Sequence, residues 1–411
     1  MTTESTKSAK STKSTEENPS EAKTPAQPAP VDGAGALISV LLQSVAVLYR
    51  RIVAAFGRWE DFLTGSHKAT YGIAMTRILL GVTGLGLLLT NFASRHYSFG
   101  VGSAWNGEMD APRSDFPDIW LFSLYHQAAA TPWLFTLLYI LLACVAVLIT
   151  LGWRTRIVLP IYLVLWVSFI EVNDVVGDQG DNAYRMFLLA MVFTSSSMRW
   201  SLDARRRAKA GKPPTAMPKQ WEWTTITAHN LALVVLAFQV CAIYVSGGLY
   251  KVAGDPWAHG YAIYDPLQTA QFGTWPVLSD LMTAWGPAVA LMTWGSLMFQ
   301  IAFPFLLFNR YTKIIALLGI LSFHIAIGVL MGLPWFSLTM IAVDAIFIRD
   351  RSYQKLGRGL SFVYRSLRAG ASSAAPGTAG GAETERTESS TAKEKNAPQE
   401  KSTPRKKSAV T

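Results

Sequence analysis

Apolar residues gather into long blocks separated by short polar breaks, and this patterning predicts helices that cross a bilayer. Eight stretches approach the roughly 20 residues a spanning helix needs: 70–91, 132–151, 157–170, 183–198, 226–245, 287–308, 314–331 and 335–348. The third, fourth and eighth are short, so they are expected to tilt, to re-enter or to be lengthened by polar residues facing a cavity. Ahead of them, residues 36–59 are amphipathic and carry Arg50, Arg51 and Arg58 near their end. This predicts an interfacial helix, with a ninth span as the alternative. The expected fold is all-α and polytopic, with about eight transmembrane helices in a domain over residues 65–350.

The two ends read differently. Residues 1–31 and 370–411 are rich in Ser, Thr, Lys, Glu, Pro and Ala and nearly lack large apolar side chains, so both are expected to be disordered tails. The extreme N-terminus shows no apolar signal region, so the first membrane helix is expected to direct insertion. The basic C-terminal tail either touches anionic headgroups or is simply solvated.

Half of the 411 residues are hydrophobic and only 16% are charged, which fits an integral membrane protein. The formal charge of +10 does not imply a nucleic-acid partner, because the basic residues sit in short loops between apolar stretches. Arg50, Arg51, Arg58 and Lys68 precede the first stretch, and Arg154 and Arg156 join the second to the third. Arg199, Arg205, Arg206, Arg207, Lys209 and Lys212 follow the fourth, and Arg310 and Lys313 join the sixth to the seventh. The positive-inside rule then places these loops and both termini in the cytoplasm of a cell that carries the protein in its plasma membrane. Cys144 and Cys241 both fall inside apolar stretches and form no CxxC pair. Neither a disulfide framework nor a thiol redox motif follows from them.

On the expected outer side, Lys251 closes the run Ile243-Tyr-Val-Ser-Gly-Gly-Leu-Tyr-Lys251 at the mouth of a membrane helix. Partial dehydration destabilises an ammonium relative to the free amine, which makes Lys251 the candidate base; the alternative is a lysine snorkelling to the interface. His324 lies inside the seventh stretch and is either a buried imidazole bonded to a carbonyl or a ring that holds a ligand oxygen. Arg77, about 10 Å of helix rise beyond Thr70, is expected to snorkel back or to pair with a neighbouring helix. Arg185 stands four residues after Asp181, which predicts an intrahelical ion pair. The histidines form no HxxxH or HxxE arrangement, and there is no phosphate loop, GxSxG or dinucleotide fingerprint, so no metal is expected and soluble-enzyme chemistry is set aside.

Four blocks in order carry a resemblance. They are an arginine inside the first stretch, Met198-Arg-Trp-Ser-Leu-Asp203, the run through Lys251 followed by Trp257-Ala-His-Gly-Tyr261, and Phe323-His324 followed by Gly332-Leu-Pro-Trp-Phe336. Over residues 65–350 the chain resembles the horizontally transferred transmembrane domain, which is also the membrane half of vitamin K-dependent gamma-carboxylase. The resemblance implies that Lys251 is the base that deprotonates a quinol of the menaquinone or vitamin K type, beside Tyr250, Trp257 and Tyr261, and that His324 orients it. It also implies a peptide substrate. Two departures stand against glutamate carboxylation: Asn182 occupies the place of a carboxylase histidine and cannot shuttle a proton, and a tail follows Ile348 where the carboxylase has a large lumenal domain.

Three functions are therefore expected in order: a quinol-linked membrane enzyme, a non-catalytic maturation or export factor that binds a peptide or lipid, and a small-solute transporter. The last is disfavoured by the lack of recognisable inverted repeats.

Overall fold

The structure, a computed structural model, describes residues 33–107, 112–213 and 218–373. Regular structure among them is helical: α1 (Gly33–Thr64), α2 (Thr70–Thr90), α3 (Arg95–Ser98), α4 (Leu124–Ala129), α5 (Pro132–Leu151), α6 (Thr155–Ile170), α7 (Gln179–Val192) and α8 (Leu202–Lys209). These are followed by α9 (Glu222–Val252), α10 (Asp255–Ala258), α11 (Tyr264–Gln268), α12 (Pro276–Thr283), α13 (Gly286–Leu306), α14 (Arg310–Leu330), α15 (Pro334–Asp344) and α16 (Asp350–Ser373). The chain divides into two units at Gln354. Of the second unit, the described part is the continuation of a helix through Ser373.

Among the described residues, six helices are long and apolar enough to cross a membrane: α1, α2, α5, α9, α13 and α14. α6 and the segment Pro334–Phe347 are apolar but shorter, as their sequences led us to expect. Only the first part of the expected stretch 183–198 is helical: α7 has 14 residues, begins earlier, at Gln179, and ends at Val192. The N-terminal helix, expected over 36–59, runs over 33–64 with apolar side chains such as Leu41, Val45 and Ile52 exposed, and it is compatible with either the interfacial helix or the alternative ninth span. α16 runs to Ser373, past the expected start of the C-terminal tail at 370. The rest of both predicted tails lies outside the described residues.

α2 lies at the centre, with α5 and α15 packed along it. It can do so because it is built from small residues that let neighbouring backbones and rings come close. Gly84 shows why: a Cβ there would meet the Tyr162 and Tyr184 hydroxyls. Those hydroxyls bond each other at 2.9 Å, and Tyr184 donates to the Leu80 carbonyl at 2.6 Å, so a polar pair is satisfied inside an apolar core.

One end of the bundle carries the arginine-rich connections and is held by carboxylates at helix starts. Asp203 accepts the backbone N–H groups of Arg154 and Thr155 at 2.9 and 3.0 Å, capping α6. Asp350 accepts those of Thr70 and Tyr71, both at 3.1 Å, capping α2. The end of α5 is a Schellman turn: Gly152 has φ +69° and donates to Ile149, while Trp153 donates to Leu148. Gly152 is required twice over, since a Cβ would also run into Ser201 and the Arg77 guanidinium.

Candidate functional site

α9 has 31 residues, about 46 Å of helix at 1.5 Å per residue, and so outreaches a hydrocarbon core of about 30 Å. Lys251 lies in its last turn and is half-buried. Its Nζ donates to Gln300 Oε1 of α13 at 3.0 Å and lies 4.9 Å from the Trp257 ring centroid and 5.4 Å from that of Phe323 on α14. Either form of the amine keeps the amide bond; only the ammonium gains from the two ring faces. The lysine head is therefore held among three elements instead of being left in solvent.

Two turns back on the same face of α9, Tyr244 is 2% exposed. Its hydroxyl donates to Asp344 Oδ2 of α15 at 2.7 Å and lies 3.0 Å from His324 Nε2 of α14. With the phenolic proton committed to the carboxylate, Nε2–H donates to the phenol oxygen and His324 Nδ1 carries a lone pair. Neither His324 Nδ1 nor Asp344 Oδ1 has a hydrogen-bond partner among the described residues, although the two side chains are 1% and 7% exposed. Phe303 and Phe336 pack around the group. Phe323 joins it to the lysine, because its ring lies 5.1 Å from the His324 ring while facing Lys251 on its other contact.

The structure thus brings Lys251, Trp257 and His324 to one seam between α9, α13, α14 and α15. It does not bring Tyr250 there: that side chain is 85% exposed. Tyr261 is 42% exposed and contacts the His259 ring at 6.4 Å. Asn182 belongs to a different group at the start of α7, where it accepts from Arg185 Nε at 3.0 Å.

That second group corrects the predicted Asp181–Arg185 pair. Arg185 forms its ion pair with Glu171, at the end of α6, and stacks over Phe116 at 5.0 Å. Asp181 is occupied with the capping box of its own helix, accepting from Asp178 N at 3.0 Å while the Asp178 side chain accepts from Gly180 and Asp181. A first-turn carboxylate turns back toward its helix N-terminus, whereas the longer arginine stem reaches across to the neighbouring helix end. Arg77, 1% exposed, reaches the basic end and donates to the carbonyls of Ile149, Thr150, Ser196 and Trp200. It ties the end of α5 to the segment before α8.

Sequence reasoning missed Tyr244, Gln300 and Asp344. The signal for Asp344 was present, since an acid inside an apolar stretch demands a partner, and the same holds for Gln300. Tyr244 stood inside the run quoted for Lys251, but a tyrosine in an apolar helix looks like ordinary packing until its neighbours are known.

Of two cavities in this part of the bundle, the smaller adjoins these groups. One of about 400 Å³ is lined by Met186, Leu189, Phe193, Leu231, Val235 and Gln239 between α7 and α9. The other, about 150 Å³, is lined by Asn91, Asp178, Asp181, Trp335 and Phe336 among others, and Phe336 stands between it and His324.

The HTTM domain matches residues 72–351. A relative described as "Uncharacterized protein YitO", from Bacillus subtilis (strain 168), is 25% identical over 223 residues, covering 50% of this chain and 65% of its own length. The chain therefore spans less than two thirds of that relative. No solved structure matches the chain.

Proposed function

The chain belongs to the HTTM domain family, and from that premise we propose that this multi-pass membrane protein handles a quinol of the menaquinone or vitamin K type at the seam of Lys251 and His324. The observation that supports the reading is the pair of buried polar atoms without partners, His324 Nδ1 and Asp344 Oδ1, one aromatic ring away from an amine. Buried polar atoms are normally satisfied, and exceptions inside a membrane mark working sites. The residues fit such a guest: a ring lined by Phe323 and Phe336 has apolar faces to meet, and its hydroxyls have a nitrogen and a carboxylate oxygen to meet.

A bound quinol supplies an ionisable ring hydroxyl and two electrons. Lys251, as free amine, takes the hydroxyl proton and becomes an ammonium that Gln300 Oε1 and the two ring faces hold in place. His324 Nδ1 accepts a hydrogen bond from a ring hydroxyl and fixes its orientation, and the Tyr244–Asp344 pair holds the imidazole in the tautomer that leaves Nδ1 free. In this reading the protein sits in the plasma membrane with both termini in the cytoplasm, which puts Lys251 on the outer side. A peptide substrate, as in the carboxylase, is a further step of the same proposal.

The test is to purify the protein in mild detergent and identify co-purifying quinones by mass spectrometry, alongside Lys251→Ala, His324→Ala and Asp344→Asn. We expect a quinone in the wild-type protein that is lost from the His324 and Asp344 variants. Retention of the same quinone in all variants sinks the site. Full activity of Lys251→Ala in a maturation or export assay would favour the non-catalytic reading instead.

A further inference from the structure

At the arginine-rich end, far along the bundle from Lys251, the start of α6, α8 and the 194–198 segment enclose a crevice of about 750 Å³. Arg154, Arg156, Arg206 and Arg207 all line it, together with the serines at 195–197. One carboxylate lines it too, that of Asp203. This acid is largely committed elsewhere: its two oxygens cap the backbone of Arg154 and Thr155, and its approach to Arg206 is 4.0 Å. Four guanidinium groups thus share one carboxylate that already serves a helix start.

The arrangement is more than the excess of positive charge that orients a membrane protein. The positive-inside rule asks for arginines in a loop and is met equally well by side chains spread in water. Here Arg207 is drawn inward. Its Nη2 donates to the Ser197 carbonyl at 2.6 Å, and its Nε is buried with no partner among the described residues. Burial makes its charged form less favourable; Asp203 offsets part of that cost, and Arg156 adds a smaller like-charge repulsion. A cationic pocket with an unused donor lowers its own energy when an anion enters.

The anion's chemistry follows from the donors. Arginine forks that share one crevice with serines suit tetrahedral oxyanions, which take bidentate arginine bonds and hydroxyl bonds together. The size of the crevice, within the range of about 300–1,000 Å³ usual for ligand sites, leaves room for more than one phosphate group. Its walls also include Ile157, Leu159, Val192 and Met198, so an apolar flank leads from the arginines toward the sides of α6 and α7. We propose that this crevice is a binding site for a phosphate-bearing anion, filled by the headgroup of an anionic phospholipid or by a soluble phosphate compound. It is independent of the quinol reading.

The experiment places the full chain in nanodiscs of phosphatidylcholine with or without phosphatidylglycerol, and separately in neutral detergent with inorganic pyrophosphate. Lipid retention is read by native mass spectrometry and pyrophosphate binding by the thermal unfolding shift. The crevice variant is Arg156→Gln/Arg207→Gln. Arg206→Gln, at an exposed position, serves if the double variant unfolds, and Arg50→Gln/Arg51→Gln removes equal charge from α1. Losing two arginines at a membrane surface should cut retention of phosphatidylglycerol by about tenfold or more, with Arg206→Gln acting in the same direction and the α1 variant leaving it unchanged. A thermal shift with pyrophosphate that the crevice variant abolishes assigns the site to a soluble phosphate; retention of phosphatidylglycerol without that shift assigns it to lipid. Equal losses in the crevice and α1 variants, or a crevice variant that keeps both phosphatidylglycerol retention and any pyrophosphate shift, overturn the proposal.

Discussion

Two buried polar groups in this bundle behave in opposite ways. At the basic end, Arg77 is enclosed by four backbone carbonyls and Asp203 by two backbone N–H groups; these side chains replace secondary-structure partners that the chain lacks where helices stop and start. In the seam between α9 and α15, Tyr244, His324 and Asp344 bond one another and still leave a ring nitrogen and a carboxylate oxygen without partners. Both groups are polar, buried and distant in sequence, so burial alone does not separate scaffold from site. The completeness of the hydrogen bonding does. A saturated group holds the fold, and an unsaturated one costs stability that some other use must justify.

That contrast breaks first at Arg77. Arg77→Met strands carbonyls on α5 and before α8 and should cost about 3 kcal/mol or more, seen as a collapse of the thermal unfolding midpoint in detergent. Arg77→Lys should recover little of it, because a point charge cannot reach several carbonyls as a planar fork does. A midpoint unchanged by Arg77→Met would remove the distinction altogether. Next in size, Asp203→Ala and Asp350→Ala each lose a helix cap and should cost about 1–2 kcal/mol by the same measurement, with Asn at either position restoring part of it.

The seam should answer differently. Replacing Tyr244, His324 and Asp344 together by Phe, Leu and Leu removes the unsatisfied atoms along with their partners, so stability should hold within about 1 kcal/mol or rise, while any bound quinone is lost. A severe loss of stability in this triple variant would class the seam with the scaffold. The smallest effect is expected at His67, between α1 and α2. Its ring packs 5.0 Å from that of His229, its Nε2 has no partner among the described residues, and burial holds its pKa below the ordinary 6.5. The neutral ring is the folded form, so its contribution is present above pH 6.5 and is lost as acid protonates it. Acidifying from about pH 7.5 to about pH 5.5 should therefore lower the unfolding midpoint slightly more in the wild-type protein than in His67→Gln.

The residues themselves determined a great deal. Long apolar blocks have few ways to satisfy their backbone in a bilayer, so the all-helical membrane architecture and the short third and eighth segments were legible before any contact was known. Lys251 and His324 were legible for the related reason that a polar side chain among apolar neighbours is costly and stands out. What the order of residues leaves open is partnership. Arg185 had acids four and fourteen residues away, and only the packing of α6 against α7 gave it Glu171 instead of Asp181. Asp344 lies 100 residues from Tyr244, and their bond exists because α15 folds back beside α9. Helix periodicity fixes which side chains share a face within one segment, but which faces meet is set by close packing over the whole bundle.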